Sequence, residues 1–244
     1  MVSELKELEF GGRLVEPAIR MLYDMKEVIN DRQWLSESKN IELYYMYRDL
    51  YLSHTDKDKL LKQGLRYDIT IMPPGMLGKE YIKTAGHFHP SAHGGVITYP
   101  ELYEVLEGEA IYLLQKQDLS DVVAIYAIEG DKVIVPPDYG HITINRSNKT
   151  LKMSNFVDKD FNSIYEPFKE KGGGAYFYTK DGFIKNYRYS KTADLRKVEA
   201  PDGNRLRRLG LSKDKEMYPL LREIGRLDYL VNPQNHMSVF EGLI

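Results

Sequence analysis

The chain of 244 residues is long enough for one domain with appendages, or for one domain and a small partner, and it can bury a full core. Its 34 Lys and Arg nearly balance 36 Asp and Glu, and a net charge of -2 offers no electrostatic reason to expect nucleic acid or an anionic membrane as the main partner. There is no cysteine, which excludes disulfides, zinc-thiolate sites, cysteine-bound iron-sulfur clusters and a thiol nucleophile, so a metal would be held by nitrogen and oxygen.

The opening stretch MVSELKELEFGG carries acidic residues and lacks the apolar run of a signal peptide, and no segment approaches the roughly 20 apolar residues that span a bilayer. The expectation is a cytoplasmic protein. From Leu14 to Asn30, Val15, Ile19, Leu22, Met25 and Ile29 fall at helical spacing, which predicts an amphipathic helix, followed by a shorter helical turn around Trp34. Two strand-like runs come next, IELYYMYRDLYL and RYDITIM, separated by SHTDKDKLLKQGL and closed by the turn PPG at 73–75.

Between Lys79 and Val157 the pattern becomes short β-rich runs: EYIKTAGHF, ELYEVLEG, EAIYLLQ, VVAIYAI, KVIVPP, HITIN and LKMSNFV. Gly, Pro, Asp and Asn clusters separate them, which argues for an antiparallel barrel or sandwich, and the lack of helical crossovers argues against a parallel sheet. A hairpin with a DG turn is expected in AYFYTKDGFIKNYRY. From about Ser190 the strand signal fades. KTADLRKVEAPDGNRLRRLGL reads as loop-rich, whereas Met217, Leu220, Leu221, Ile224 and Leu227 mark one face of a final helix. These features divide the chain into a domain over 1–189, with an N-terminal helical arm, and an extension over 190–244 packed on the barrel or at a dimer interface.

Two stretches carry chemistry. In His87-Phe88-His89 the strand alternation turns both imidazoles to the same face, about 7 Å apart along the strand. Glu101 follows, with Gly108 seven residues on. The second stretch, Gly130-DKVIV-Pro136-PDYG-His141-ITI-Asn145, ends one strand in a Pro-rich turn and opens the next with His141. Together the three histidines and Glu101 would surround one divalent metal and leave positions open for a substrate. Imidazoles must be neutral to bind, so ordinary histidines would lose the metal below about pH 6. His93, in the loop PSAHGGVITYP, reads as a loop residue at the cavity mouth; Glu104, of opposite parity to Glu101, should face outward. His54 and His236 read as solvated.

These stretches resemble the two cupin motifs, with a double-stranded β-helix (jelly-roll) barrel as the implied fold. PGMLGKEYIKTAGHFHP, PELYEVLEG and VIVPPDYGHITIN, with LYDMKEVINDRQW upstream, further resemble the archaeal cupin-type glucose-6-phosphate isomerases from about Leu14 to Tyr189. The resemblance implies a homodimer that interconverts glucose 6-phosphate and fructose 6-phosphate, a step of glycolysis and gluconeogenesis. It also implies one divalent metal, often iron with manganese, nickel or zinc tolerated, on His87, His89, Glu101 and His141. It assigns Tyr44, Thr70, Thr84, Gly86 and Tyr165 to the sugar phosphate and Tyr103 to the reacting carbons, and it has Ser163 where a substrate-side His is expected. Glu101 would be the catalytic base, or would only bind metal while a hydride moves from carbon to carbon. Two other functions suit the same ligands: a metal-dependent cupin dioxygenase, and a non-catalytic sugar-binding cupin.

Overall fold

A computed structural model describes residues 6–160 and 162–244; the first five, part of the stretch read for a signal peptide, lie outside the described residues. Among the described residues sixteen strands follow in chain order. The first five are β1 (Leu8–Phe10), β2 (Arg13–Val15), β3 (Ala18–Met21), β4 (Glu42–Tyr47) and β5 (Leu65–Met72). Two short ones, β6 (Met76–Leu77) and β7 (Glu80–Tyr81), precede β8 (Glu101–Glu107), β9 (Glu109–Lys116), β10 (Val122–Ile128), β11 (Lys132–Val135), β12 (Tyr139–Asn145) and β13 (Leu151–Asp158). The last three are β14 (Tyr176–Thr179), β15 (Gly182–Lys185) and β16 (Leu195–Glu199).

Two large sheets form the barrel. One has the order β11-β8-β13-β5-β4-β3 and the other β12-β9-β10-β16. They pack face to face, with the Tyr103 ring of β8 5.1 Å from the Tyr112 ring of β9, around a core that takes Val105, Met153 and Val133 from one sheet and Tyr112, Leu114 and Ile125 from the other. This is the cupin barrel. The chain passes between the sheets at Gly108, whose φ of +84° and closeness to Thr150 exclude a side chain: a Cβ there would lie 2.5 Å from the Thr150 carbonyl oxygen.

The N-terminal arm differs from the helix expected over Leu14–Asn30. β2 and β3 occupy its first half, and a 3₁₀ helix, Leu22–Val28, the second. Pro17 is the physical reason, since it has no N–H to donate and steers the preceding residue toward extended backbone. The apolar spacing still marks the buried face of the 3₁₀ segment, Leu22, Met25 and Val28. A short helix, α1 (Arg32–Glu37), does form around Trp34, capped by Asp31, which accepts from the Trp34 N–H at 3.0 Å. The polar run between the first two strand-like stretches folds as α2 (His54–Gln63), with Ser53 capping its start and Gly64 in the left-handed region, φ +76°, closing it. EYIKTAGHF keeps only β7 as regular strand; beyond it the chain touches the barrel by single bridges, Lys83 to Ile144 and His87 to His141. The DG hairpin forms as β14 and β15. Helix α3 (Glu166–Glu170) precedes it.

The tail is more structured than its composition suggests. β16 lies in the segment read as loop and pairs in parallel with β10, the exception to the antiparallel pattern. Helix α4 (Gly203–Arg208) follows, and the final apolar face belongs to a 3₁₀ segment, Tyr218–Leu230, interrupted at Glu223. Leu206, Met217, Leu221, Leu227 and Leu230 pack with Tyr45, Ile69, Leu102 and Phe156 into a second core on the outer side of the six-stranded sheet. That sheet is therefore buried on both faces. Glu104 does point away from the barrel interior, as its parity requires, but it faces this second core instead of water. Its carboxylate lies 2.8 Å from Lys132 Nζ and accepts from the Met217 N–H at 2.8 Å, and both charged side chains are buried.

Candidate active site

Three segments bring the candidate ligands together. Gly86, at φ +77°, lets the chain press against β12; a Cβ there would lie 2.5 Å from Ile142 Cγ1. The next residue is stitched to that strand in both directions, the His87 N–H donating to the His141 carbonyl at 3.2 Å and the His141 N–H to the His87 carbonyl at 3.0 Å. β8, in the opposite sheet, begins with Glu101 and sends Tyr103 to the same face.

One ligand-type atom from each of His87, His89, Glu101 and His141 lies within 4.8 Å of the other three. His89 Nε2 and His87 Nε2 are 3.2 Å apart, and Glu101 Oε2 is 3.3 Å from both His89 Nε2 and His141 Nε2. His89 Nδ1 is 2.7 Å from the Tyr99 carbonyl. A carbonyl only accepts, so that nitrogen carries the proton and Nε2 offers its lone pair to the cluster. Glu101 Oε2 is buried without a hydrogen-bond partner in the protein, the situation of a carboxylate oxygen shaped to meet a cation. Nitrogen and oxygen donors converging at this separation fit a divalent transition ion.

Burial sets the protonation states. It pushes the His141 imidazole down to about 4, against the opposing pull of Glu101, and drives His87 well below its ordinary value, with His141 and His89 adding to the effect. For Glu101 burial acts upward, yet the neighbouring imidazoles of His89 and His141 outweigh it and hold the carboxyl below its usual range. The Tyr103 phenol is raised well above its ordinary value by burial and then by Glu101, so it stays protonated, with its hydroxyl 3.1 Å from His141 Nε2. The site thus holds neutral imidazoles at His87 and His141, one carboxylate and one phenol.

A cleft open to solvent lies over this group. His87, Glu101, Tyr103 and His141 line it together with Tyr44, Thr70, Thr84, Gly86, Tyr165 and Ser163, whereas His89 stands behind the wall. His93 is elsewhere: its Nε2 is 2.9 Å from the Val231 carbonyl, tying the loop to the tail. His54 is exposed, and His236 is paired with Asp228 at 2.8 Å. The cleft also holds residues that sequence reasoning passed over: Arg20, Arg48, Arg66, Asp68 and Asn155. Strand parity could have found most of them, because Arg66 and Asp68 alternate onto the face of Thr70, Arg48 onto that of Tyr44, and Asn155 onto that of Met153. Arg20 had no such signal once its segment was read as helix.

The family model of glucose-6-phosphate isomerase (GPI) matches residues 19–194. Curated relatives carry the same description: the enzyme of Pyrococcus furiosus is 28% identical over 186 residues, covering 73% of this chain and 91% of its own length. That of Pyrococcus horikoshii is 26% identical over 182 residues with the same coverage, and that of Thermococcus kodakarensis 31% identical over 125 residues, covering 51% of this chain and 63% of its own. Solved structures match loosely, among them oxalate decarboxylase of Bacillus subtilis with a TM-score of 0.36 and 18% identity over 53% of this chain and 30% of that one. With the match spanning the barrel, both histidine-bearing segments and Glu101, the chain belongs to the glucose-6-phosphate isomerase family.

Proposed function

We propose that this chain interconverts glucose 6-phosphate and fructose 6-phosphate using one divalent metal ion held by His87, His89, Glu101 and His141. The observation that carries the proposal is the convergence of four ligand-type groups, three of them buried, beside a cleft rich in hydroxyl groups, with His87, Glu101 and His141 on its wall. When bound, such an ion stabilises charge developing on the two neighbouring sugar oxygens, and iron is the expected metal.

The remaining tasks fall to the chain. Glu101, ionised and on the cleft wall, takes the proton from one carbon and returns it to its neighbour. Tyr103, kept protonated, donates its hydroxyl hydrogen to a sugar oxygen beside the reacting carbons. The phosphate falls to the other end. Thr84 Oγ1 accepts from the Thr143 N–H at 2.9 Å, and the Tyr44 hydroxyl accepts from the Ala85 N–H at 3.3 Å. Each therefore has its own hydrogen free to donate to an oxyanion. Thr70, Tyr165 and the close-approaching backbone of Gly86 complete the contacts. A homodimer in the cytoplasm belongs to the same reading; no helix among the described residues is long and apolar enough to cross a membrane.

The test is a coupled assay of fructose 6-phosphate isomerisation on protein stripped of metal and then reconstituted. Chelation should abolish activity and a divalent transition ion should restore it. Activity that persists after elemental analysis shows the metal gone would refute the proposal.

A further inference from the structure

So far only hydroxyls and a backbone N–H group meet the phosphate, with no cation to balance a dianion. Three arginines line the cleft, and two are otherwise engaged. Arg66 Nε lies 2.8 Å from Asp68 Oδ2, whereas Arg48 is exposed with its guanidinium 3.6 Å from Met46 Sδ. Arg20 is different. Its cross-strand partner is Tyr44, which places both side chains on the barrel's inner face. Its guanidinium carbon is 6.0 Å from the Tyr44 ring centre and 5.7 Å from that of Tyr165, and its Nε is buried without a hydrogen-bond partner. Among the described residues no carboxylate forms an ion pair with it. Asp24 and Glu27 line a small cavity behind it together with Lys169, and Asp24 is already accepting from the Met21 N–H.

We infer that Arg20 is the cationic ligand of the substrate's phosphate. The inference rests on the isomerase reading and deepens it. A half-buried guanidinium with a buried, unsatisfied Nε is costly to keep unless an anion arrives to pair with it. Its planar fork suits two phosphate oxygens at once, which a lysine ammonium cannot match. The position is right for one hexose phosphate: the Tyr165 ring is 5.7 Å from the Arg20 guanidinium on one hand and 5.7 Å from the His87 imidazole on the other, so a single aromatic ring links the cation to the metal-ligand end. Gly86, like Tyr165, is on the wall of both cavities. Arg20 thus fixes the phosphorylated end while the carbonyl end faces Glu101 and Tyr103.

The experiment compares wild type, Arg20→Gln, Arg20→Lys and Arg48→Gln, all metal-loaded and checked for metal content and melting temperature. KM and kcat are measured for fructose 6-phosphate, with inorganic phosphate as competitive inhibitor and as the titrant in calorimetry. Loss of a charge-assisted phosphate contact should raise KM and the phosphate inhibition constant about 10- to 100-fold in Arg20→Gln, with a far smaller effect on kcat. Arg20→Lys should recover part of that loss. Equal loss of kcat with unchanged phosphate inhibition would mean a structural role and overturn the inference, as would transfer of the effect to Arg48→Gln. Should Arg20→Gln fail to fold, an unaltered phosphate constant in Arg20→Lys would overturn it as well. The two readings separate cleanly: wild type that binds phosphate through Arg20 but does not isomerise the sugar refutes the isomerase reading alone. Wild type that isomerises while Arg20→Gln keeps its KM refutes the anion site alone.

Discussion

Acidifying the metal-free protein should destabilise it through His141, over a window that the structure sets. An open chain protonates this imidazole near 6.5, whereas burial in the folded site lowers that to about 4. Between these values the unfolded state takes up a proton that the folded state refuses, so stability falls as pH drops, by about 1.4 kcal/mol per pH unit. The full difference comes to about 3 kcal/mol, complete once pH falls below about 4, where both states are protonated. His87, also held well below its ordinary value by burial, adds a loss of the same sign. Glu101, held below its usual range, contributes stability that disappears only at the acid end of the window and beyond. Urea unfolding of chelated protein at pH 7, 6, 5 and 4, run beside His141→Asn, removes this imidazole while titrations away from the site cancel in the difference; what remains is His141 together with its effect on the neighbouring His87 and Glu101. Stability differences that agree to within about 0.5 kcal/mol across the series would refute the reasoning. The same burial moves proton competition for the metal to lower pH than ordinary histidines would impose, so affinity should hold below pH 6 and fail toward about 4.

Replacing Glu101 with Gln keeps an oxygen ligand and removes the base, so activity should drop about 10²- to 10⁴-fold while metal content falls far less. With substrate deuterated at C2, a proton route washes label into water; full retention over many turnovers, with substantial activity left in the variant, would instead mark a hydride shift. Lys132→Met strands the Glu104 carboxylate in the second core and should cost about 3–5 kcal/mol in chemical denaturation, a value near zero indicating that Glu104 finds water. Ending the chain after Tyr189 uncovers Tyr45, Ile69, Leu102 and Phe156, so the product should aggregate or lose its cooperative unfolding transition; a soluble, metal-binding truncation would show that the outer core is dispensable.

The order of short strands and the turns between them were legible because alternation and turn chemistry are local. The same holds for the candidate ligands, since His87, His89, Glu101 and His141 sit in motifs whose spacing reports on a barrel wall. The helical spacing over Leu14–Asn30 misled for a related reason: Val15 and Ile19 satisfy a helix and a half-buried strand equally well, and Pro17 together with pairing to β4 decided between them. Arg20 reached the cleft only through that pairing. Parity alone could turn Glu104 away from the barrel interior, but whether that side meets water or a second core depended on a tail more than a hundred residues further along the chain. The acidity of the histidines likewise arose from enclosure, because an imidazole's pKa answers to the water and charges around it. The sequence by itself therefore determined which residues could carry the chemistry and on which face of each strand they stand; the tertiary structure decided which faces are dry, which charges pair and which cation remains for the substrate, because burial is a property of elements that meet from distant parts of the chain.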